Sequence, residues 1–122
     1  MVTYFAEGFP EEDGHNNCSV MWIMENGEVK ACGYNQSGYF GIGNIANTSF
    51  QSPRLIPLPD SVRSVISDGV TTFFLMKDKT LWSAGHNGQG QCGVGTSGSN
   101  VLVPTQVNNI QNVKKVAVSE YG

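Results

Sequence analysis

Residues 33–43, GYNQSGYFGIG, recur at 85–95 as GHNGQGQCGVG, 52 positions later. The correspondence continues on both sides. Upstream, SVMWIMENGEVKAC (19–32) aligns without a gap to TTFFLMKDKTLWSA (71–84), placing Ile23 over Leu75, Met24 over Met76 and Val29 over Leu81. Downstream one residue is lost, and Pro53, Ile56, Val62 and Val65 stand over Pro104, Val107, Val113 and Val116 at a spacing of 51. Glycines, prolines and apolar positions kept in step over this span mark an internal repeat with a period of 51 to 52 residues. The repeat cores are 19–52 and 71–103, with an opening segment before them and a last one that stops at Gly122, where a third copy would start.

Around the glycine blocks lie short apolar runs bounded by turn residues: 2–6, 19–24, 28–32, 53–56, 62–67, 71–76, 80–84, 104–107 and 113–118. They read as β-strands. SVMWIM and TTFFLM are almost continuously apolar, which predicts an inner strand covered on both faces. ENG (25–27) and KDK (77–79) fall at hairpin corners, Asn26-Gly27 being the better turn former. The Asn-x-x-Gly pattern of each block demands tight turns and close backbone approach. Polar stretches at 44–52 and 96–103 differ between copies and are expected to be loops on one face. Each ends at a proline, Pro53 or Pro104, which suits the leading residue of a strand. The segment EGFPEEDGHNNC (7–18) has no counterpart after Gly69 and contains an insertion at 9–18 with the acidic cluster Glu11, Glu12 and Asp13.

Charged residues make up only 14% of the 122, and Asn, Gln, Ser, Thr and 15 glycines fill the surface role instead. No segment has helix-forming composition. The formal charge of −3 with seven dispersed Lys or Arg leaves no basic stripe, so nucleic acid is not an expected partner. No signal peptide or membrane-spanning run is visible, and a cytoplasmic or virion-associated location is expected. Cys18, Cys32 and Cys92 are three in number with no CxxC, and read as small buried thiols, with a disulfide or metal site as the alternative. Asn17, Asn35 and Asn47 stand in glycosylation-type triplets, for which an Asn- and Ser-rich composition is sufficient cause.

Short strands at a period near 50, with glycine motifs in each unit, predict an all-β propeller rather than a solenoid. The chain also resembles the RCC1-like repeat family, whose blades carry a Val-x-x-Val strand, a Gly, a strand ending in an apolar pair, a short turn, and then Asn-x-x-Gly-x-x-Gly-x-Gly. The matching residues are VRSVISDG (62–69), TTFFLM (71–76), LWSAGHNGQGQCGVG (81–95) and Pro104. The first copy departs from the pattern with Lys30 for Trp82, Tyr34 for His86, Tyr39 for Gln91, and the insertion. The resemblance implies scaffolding, guanine nucleotide exchange on a small GTPase, a part in a ubiquitin ligase, or inhibition of an enzyme by capping it.

Several motifs invite a catalytic reading that their context does not support. GQGQCG (88–93) and GVGTSG (93–98) satisfy GxGxxG, yet SNVLVPTQV follows, which is not the helix a dinucleotide phosphate requires. The only histidines, His15 and His86, lie in no zinc spacing, and no serine sits in GxSxG. A triad of Ser, His86 and Asp68 or Asp78 has no spacing in its favour. Trp22 and Trp82 fall in strands and are expected to pack. No catalytic, metal or cofactor-binding residue is assigned.

The candidate partner-binding residues are Glu11, Glu12, Asp13, Tyr34, Gln36, Tyr39, Phe40 and His86, the aromatic and amide members being expected at an exposed loop rim suited to protein or glycan contact. Two blades are fewer than a closed propeller needs, and the repeat phase implies a cut in mid-blade at both ends. Two explanations follow: the chain is part of a longer protein, or several copies self-associate through open blade edges, with 113–118 lying against strand 2–6 of the next subunit. The leading expectation is a non-enzymatic structural and protein-binding module, with microbial or viral attachment or virion assembly as a sub-reading. Exchange or regulatory scaffolding for a small GTPase is the alternative.

Overall fold

The computed structural model describes residues 3–7, 19–43, 47–67, 70–108, 110 and 112–116. Among the described residues, eight strands form two four-stranded antiparallel sheets. The first contains β1 (Thr3–Glu7), β2 (Ser19–Ile23), β3 (Val29–Tyr34) and β4 (Ser49–Leu55) in that spatial order. The second contains β5 (Val62–Ser67), β6 (Thr71–Met76), β7 (Leu81–Gly85) and β8 (Val101–Gln106), again in chain order. Each is a meander with the form of a propeller blade.

Alternation decides which face of each sheet meets the other. In β2 and β3 the buried residues are Met21, Ile23, Val29 and Ala31, whereas Val20, Trp22, Lys30 and Cys32 on the opposite face are half-buried. In the second sheet Phe74, Trp82 and Ala84, the repeat counterparts of Trp22, Lys30 and Cys32, pack together with Met76 into one cluster with Met21, Ile23, Val29 and Ala31. The blades therefore stack face to back, and β6 is covered on both faces as its continuous apolar run predicts. A smaller cluster of Leu75, Leu81 and Val107 covers the far face of the second blade, closed over by Phe73, Val113 and Val116.

Both third strands end at a bulge. The register breaks between Ala31 and Gly33, and again between Ser83 and Gly85. At Gly85 (φ 116°) a Cβ would run into the Val70 carbonyl oxygen and lie 2.9 Å from the Tyr39 Cβ, so no larger residue fits. The bulges also locate the prolines. Pro53 and Pro104 stand inside β4 and β8, within the break, rather than leading those strands. Both strands lie at the sheet edge, where a missing donor costs no ladder bond. The polar stretches are accordingly shorter as loops than their composition predicts, since β4 begins at Ser49 and β8 at Val101.

After each bulge the glycine block closes around one buried asparagine. Asn35 and Asn87 are fully buried. The Asn35 carbonyl accepts from Gly38 (3.2 Å) and Asn47 (2.7 Å), while its Oδ1 accepts from the Phe40 amide at 2.8 Å. Asn87 does the same with Gly90 (3.2 Å), Gly98 (2.9 Å) and the Cys92 amide (3.0 Å), and its Nδ2 donates to the Thr96 carbonyl at 3.0 Å. One carboxamide thus satisfies backbone groups that a buried loop would otherwise strand.

Two expectations about the ends of the chain change. β1 pairs with β2 of its own sheet, from Thr3 opposite Ile23 to Glu7 opposite Ser19, so the first sheet is four-stranded rather than cut in mid-blade. Residues 113–116 are not a strand, and 117–118 lie outside the described residues.

The hairpin corners differ in strain. Gly27 holds φ 88° at the first, and Lys79 is forced to φ 71° at the equivalent place in the second. Both corners use an Asx turn, Asn26 Oδ1 accepting from Glu28 N (3.0 Å) and Asp78 Oδ1 from Thr80 N (3.0 Å). Replacing Lys79 with Gly removes a left-handed side-chain penalty, and the urea midpoint is expected to rise by the equivalent of about 1 kcal/mol. Asn35→Ala or Asn87→Ala strands buried amides, and each is expected to cost about 1–3 kcal/mol in the same assay.

Candidate functional rim

Tyr34 ends β3 and His86 directly follows β7, at positions 52 residues apart in the repeat. Both are half-buried. They mark one rim of the blade pair. The His86 amide donates to the Val70 carbonyl at 2.8 Å, its carbonyl accepts from Thr71 Oγ1 at 2.8 Å, and its ring lies over Gly88. Glu7 and Ser19, which pair at this same end beside Gly33, are the points between which residues 8–18 run. Glu11, Glu12 and Asp13 themselves lie outside the described residues.

Tyr39 and Phe40 are not at an exposed rim. They are 1% and 0% exposed, and stack on each other with ring centroids 5.1 Å apart. The turn that starts at the 3-10 segment Gln36–Gly38 drives them against β7 and β8 of the next blade. Gly41 lies so close to Pro104 that a Cβ would come within 2.8 Å of its ring, and the Gly43 amide donates to the Leu102 carbonyl at 2.8 Å. The aromatic pair is therefore a wedge between blades. The second block has Gln91 and Cys92 in these places, Cys92 buried and Gln91 half-buried, with none of the aromatic bulk of the first. Phe50 extends the wedge to the surface, where the Arg54 guanidinium covers its ring at 4.7 Å.

At the opposite end of the sheets, an open groove of about 310 Å³ runs between the blades, lined by Ile23, Met24, Gly27 and Val62 and edged by Glu25, Arg63 and Lys77. Sequence reasoning did not anticipate it, because it is formed by the approach of two hairpin ends distant in the chain. Ser61 Oγ donates to the Asn26 carbonyl at 3.1 Å and the Val62 amide to that of Gly27 at 2.9 Å, fixing its floor.

No group of three or more metal-ligating side chains occurs among the described residues. Cys32 and Cys92 are free thiols, Cys92 buried with its sulfur 3.5 Å from the His86 carbonyl; Cys18 lies outside the described residues. Asp78 and His86 stand at opposite ends of β7, so they form no acid-base pair. The Thr80 hydroxyl (2.6 Å) and amide (3.0 Å) instead bind the Asp78 carboxylate and hold it below the usual carboxylate range. That contribution to the turn is present above the ordinary aspartate pKa and fades as pH falls through the lowered one. The double GxGxxG passes from strand through turns into β8 with no helix. Asn35, buried and engaged with Phe40, is not open to glycosylation in the folded chain.

Comparison with known proteins agrees with this geometry. Residues 78–121 match the pattern described as "Regulator of chromosome condensation (RCC1) repeat". The probable E3 ubiquitin-protein ligase HERC6 of Homo sapiens is 28% identical over 101 residues, covering 82% of this chain and 10% of that protein. Prp20p of Saccharomyces cerevisiae, whose structure was reported with its binding properties to Gsp1p and histones, superposes with a TM-score of 0.71 at 21% identity over 80% of this chain and 26% of its own. The structure of Kap60 bound to yeast RCC1 (Prp20) matches with a TM-score of 0.63 at 29% identity, covering 81% of this chain and 23% of that one. The chain spans about a tenth to a quarter of the length of these relatives. Residues 78–121 thus match an RCC1-type repeat, and the two blades, each closed by its asparagine-anchored glycine block, are similar in fold to those of RCC1-like proteins.

Proposed function

We propose that this blade pair is a non-enzymatic binding module that docks a protein partner on the rim carrying Tyr34 and His86. The observation that carries this reading is the repeat equivalence of those two residues. Where the rest of each glycine block is taken up by turns and blade packing, this position keeps a ring half in solvent in both copies. An aromatic or imidazole side chain presented there by a rigid strand end offers contact area at little entropic cost. Gln36 follows Tyr34 by two positions, and the sequence between Glu7 and Ser19, which pair at this end, contains Glu11, Glu12 and Asp13. A basic or amide-rich protein surface is the complement we assign to it.

A regulatory role toward a small GTPase is the second reading. It is favoured by the likeness to yeast RCC1, and it uses the same rim and acidic segment.

Capture of a purified or proteome-derived partner by the unaltered chain is to be compared with Tyr34→Ala/His86→Ala and with Glu11→Ala/Glu12→Ala/Asp13→Ala. Loss of two hot-spot rings is expected to weaken binding by roughly 10- to 100-fold, with no change in the thermal midpoint beyond a few degrees. Undiminished capture by both variants rejects the rim as the contact. Stimulated nucleotide release from a GTPase, lost in the acidic triple variant, selects the second reading.

A further inference from the structure

Residues 113–116 repeat β5 in sequence and in seat, with no partner strand among the described residues. Val113 and Val116 stand at the repeat positions of Val62 and Val65, each pair followed by or enclosing basic residues. The Val62 amide donates to the Gly27 carbonyl at 2.9 Å, and the Val113 amide donates to the equivalent Lys79 carbonyl at 2.9 Å. Val62 packs on the apolar face of the first blade, and Val113 and Val116 pack on the same face of the second. From that seat β5 goes on to pair with β6, with Val62 opposite Met76 and Val65 opposite Phe74. Among the described residues nothing pairs with 113–116.

Among the described residues, β2 is the other strand with the character of β6. Its back face is where the second blade's equivalent face was seen to be filled. Phe74, Met76 and Ala84 are 0%, 1% and 0% exposed because the first blade covers them. Their counterparts Trp22, Met24 and Cys32 are only half-buried. The edge of β2 that would receive a Val-x-x-Val strand is taken by β1, whose TYFAE lacks that spacing. β1 is also joined to β2 through residues 8–18, where β5 reaches β6 through 68–70 alone. A long connection leaves a strand free to be exchanged at small loop-closure cost.

We propose that residues 113–116 of one copy serve as the first strand of the first sheet in a second copy, displacing that copy's β1 and joining chains head to tail. The arrangement reuses the contact between the two blades of a single chain, shifted by one repeat. Val116 then lies opposite Trp22 of the acceptor copy, as Val65 lies opposite Phe74. Gly93 meets the acceptor's Pro53 as Gly41 meets Pro104, and the Gly95 amide meets the Gln51 carbonyl as Gly43 meets Leu102. Gly93 and Gly95 are exposed in the single chain, beside Val107 and the exposed side chain of Asn108, and Pro53 and Gln51 are exposed on β4, so both sides reach solvent. A head-to-tail contact of this kind forms a ring where its rotation closes and a filament where it does not. The proposal is independent of the partner-binding rim.

Two populations, one carrying Val116→Cys and the other Trp22→Cys, are mixed under oxidising conditions, and the linked peptides are identified by mass spectrometry. Because no chain carries both changes, a 116–22 disulfide forms only between copies. That link is expected, together with a solution mass for the unaltered chain that rises with concentration in multiples of 13.1 kDa. The multimer is expected to be lost in a chain ending at Asn112, and the amides of Thr3–Glu7 to lose hydrogen-exchange protection on association. A single-chain mass at all concentrations up to the order of 100 µM overturns the proposal, as does a multimer that persists without residues 113–122. The mass of the unaltered chain decides the matter even if a cysteine variant fails to fold.

Discussion

Everything in this fold depends on a polar group placed where apolar ones are expected. The carboxamides of Asn35 and Asn87 are buried at the point where each third strand leaves its sheet, and they bind backbone amides that face no water. An unmet amide in such a place costs as much as the burial of a small side chain contributes, so a loop of this shape is stable only with the asparagine in it. The turn then has a fixed form, and its glycines follow from that form. Ser83 adds to the second turn by donating to the Cys92 carbonyl at 2.7 Å.

Once the turn is fixed, it becomes a packing element. In the first copy it carries Tyr39 and Phe40 against the strands of the next blade, and a Phe buried to this degree is worth about 1.5–3 kcal/mol by area. The apolar strand faces supply the rest of the contact, Met21, Ile23, Val29 and Ala31 meeting Phe74, Met76 and Ala84. Blade order is thus written twice, once in the strands and once in the turn. Few positions of the blocks are left that neither use absorbs, and the half-buried Tyr34 and His86 are two of them.

Most of the strands and the propeller class were legible because glycine spacing and two-residue alternation act locally and repeat, although the run at 113–116 is not a strand. What was not legible came from contacts across the repeat. Tyr39 and Phe40 follow a polar turn, and nothing local says that a strand arriving some 60 residues later will cover them. Pro53 and Pro104 read as strand openers because the bulge that accommodates them is set by Gly33 and Gly85 on a neighbouring strand. The groove edged by Glu25, Arg63 and Lys77 is likewise a product of two hairpin ends meeting. His86 has its place for a local reason, being the residue after the bulge glycine.

The hydrogen bond from Gly43 to the Leu102 carbonyl, with Pro104 pressed against Gly41, also sets an order of events at the ribosome. The first blade emerges before the second, yet its closing turn has no cover until β8 has left the exit tunnel. Over that interval Tyr39 and Phe40 are open to solvent on a nascent chain. A growing chain built this way matures backwards, each unit being sealed by its successor, and the last unit made is always the one still waiting.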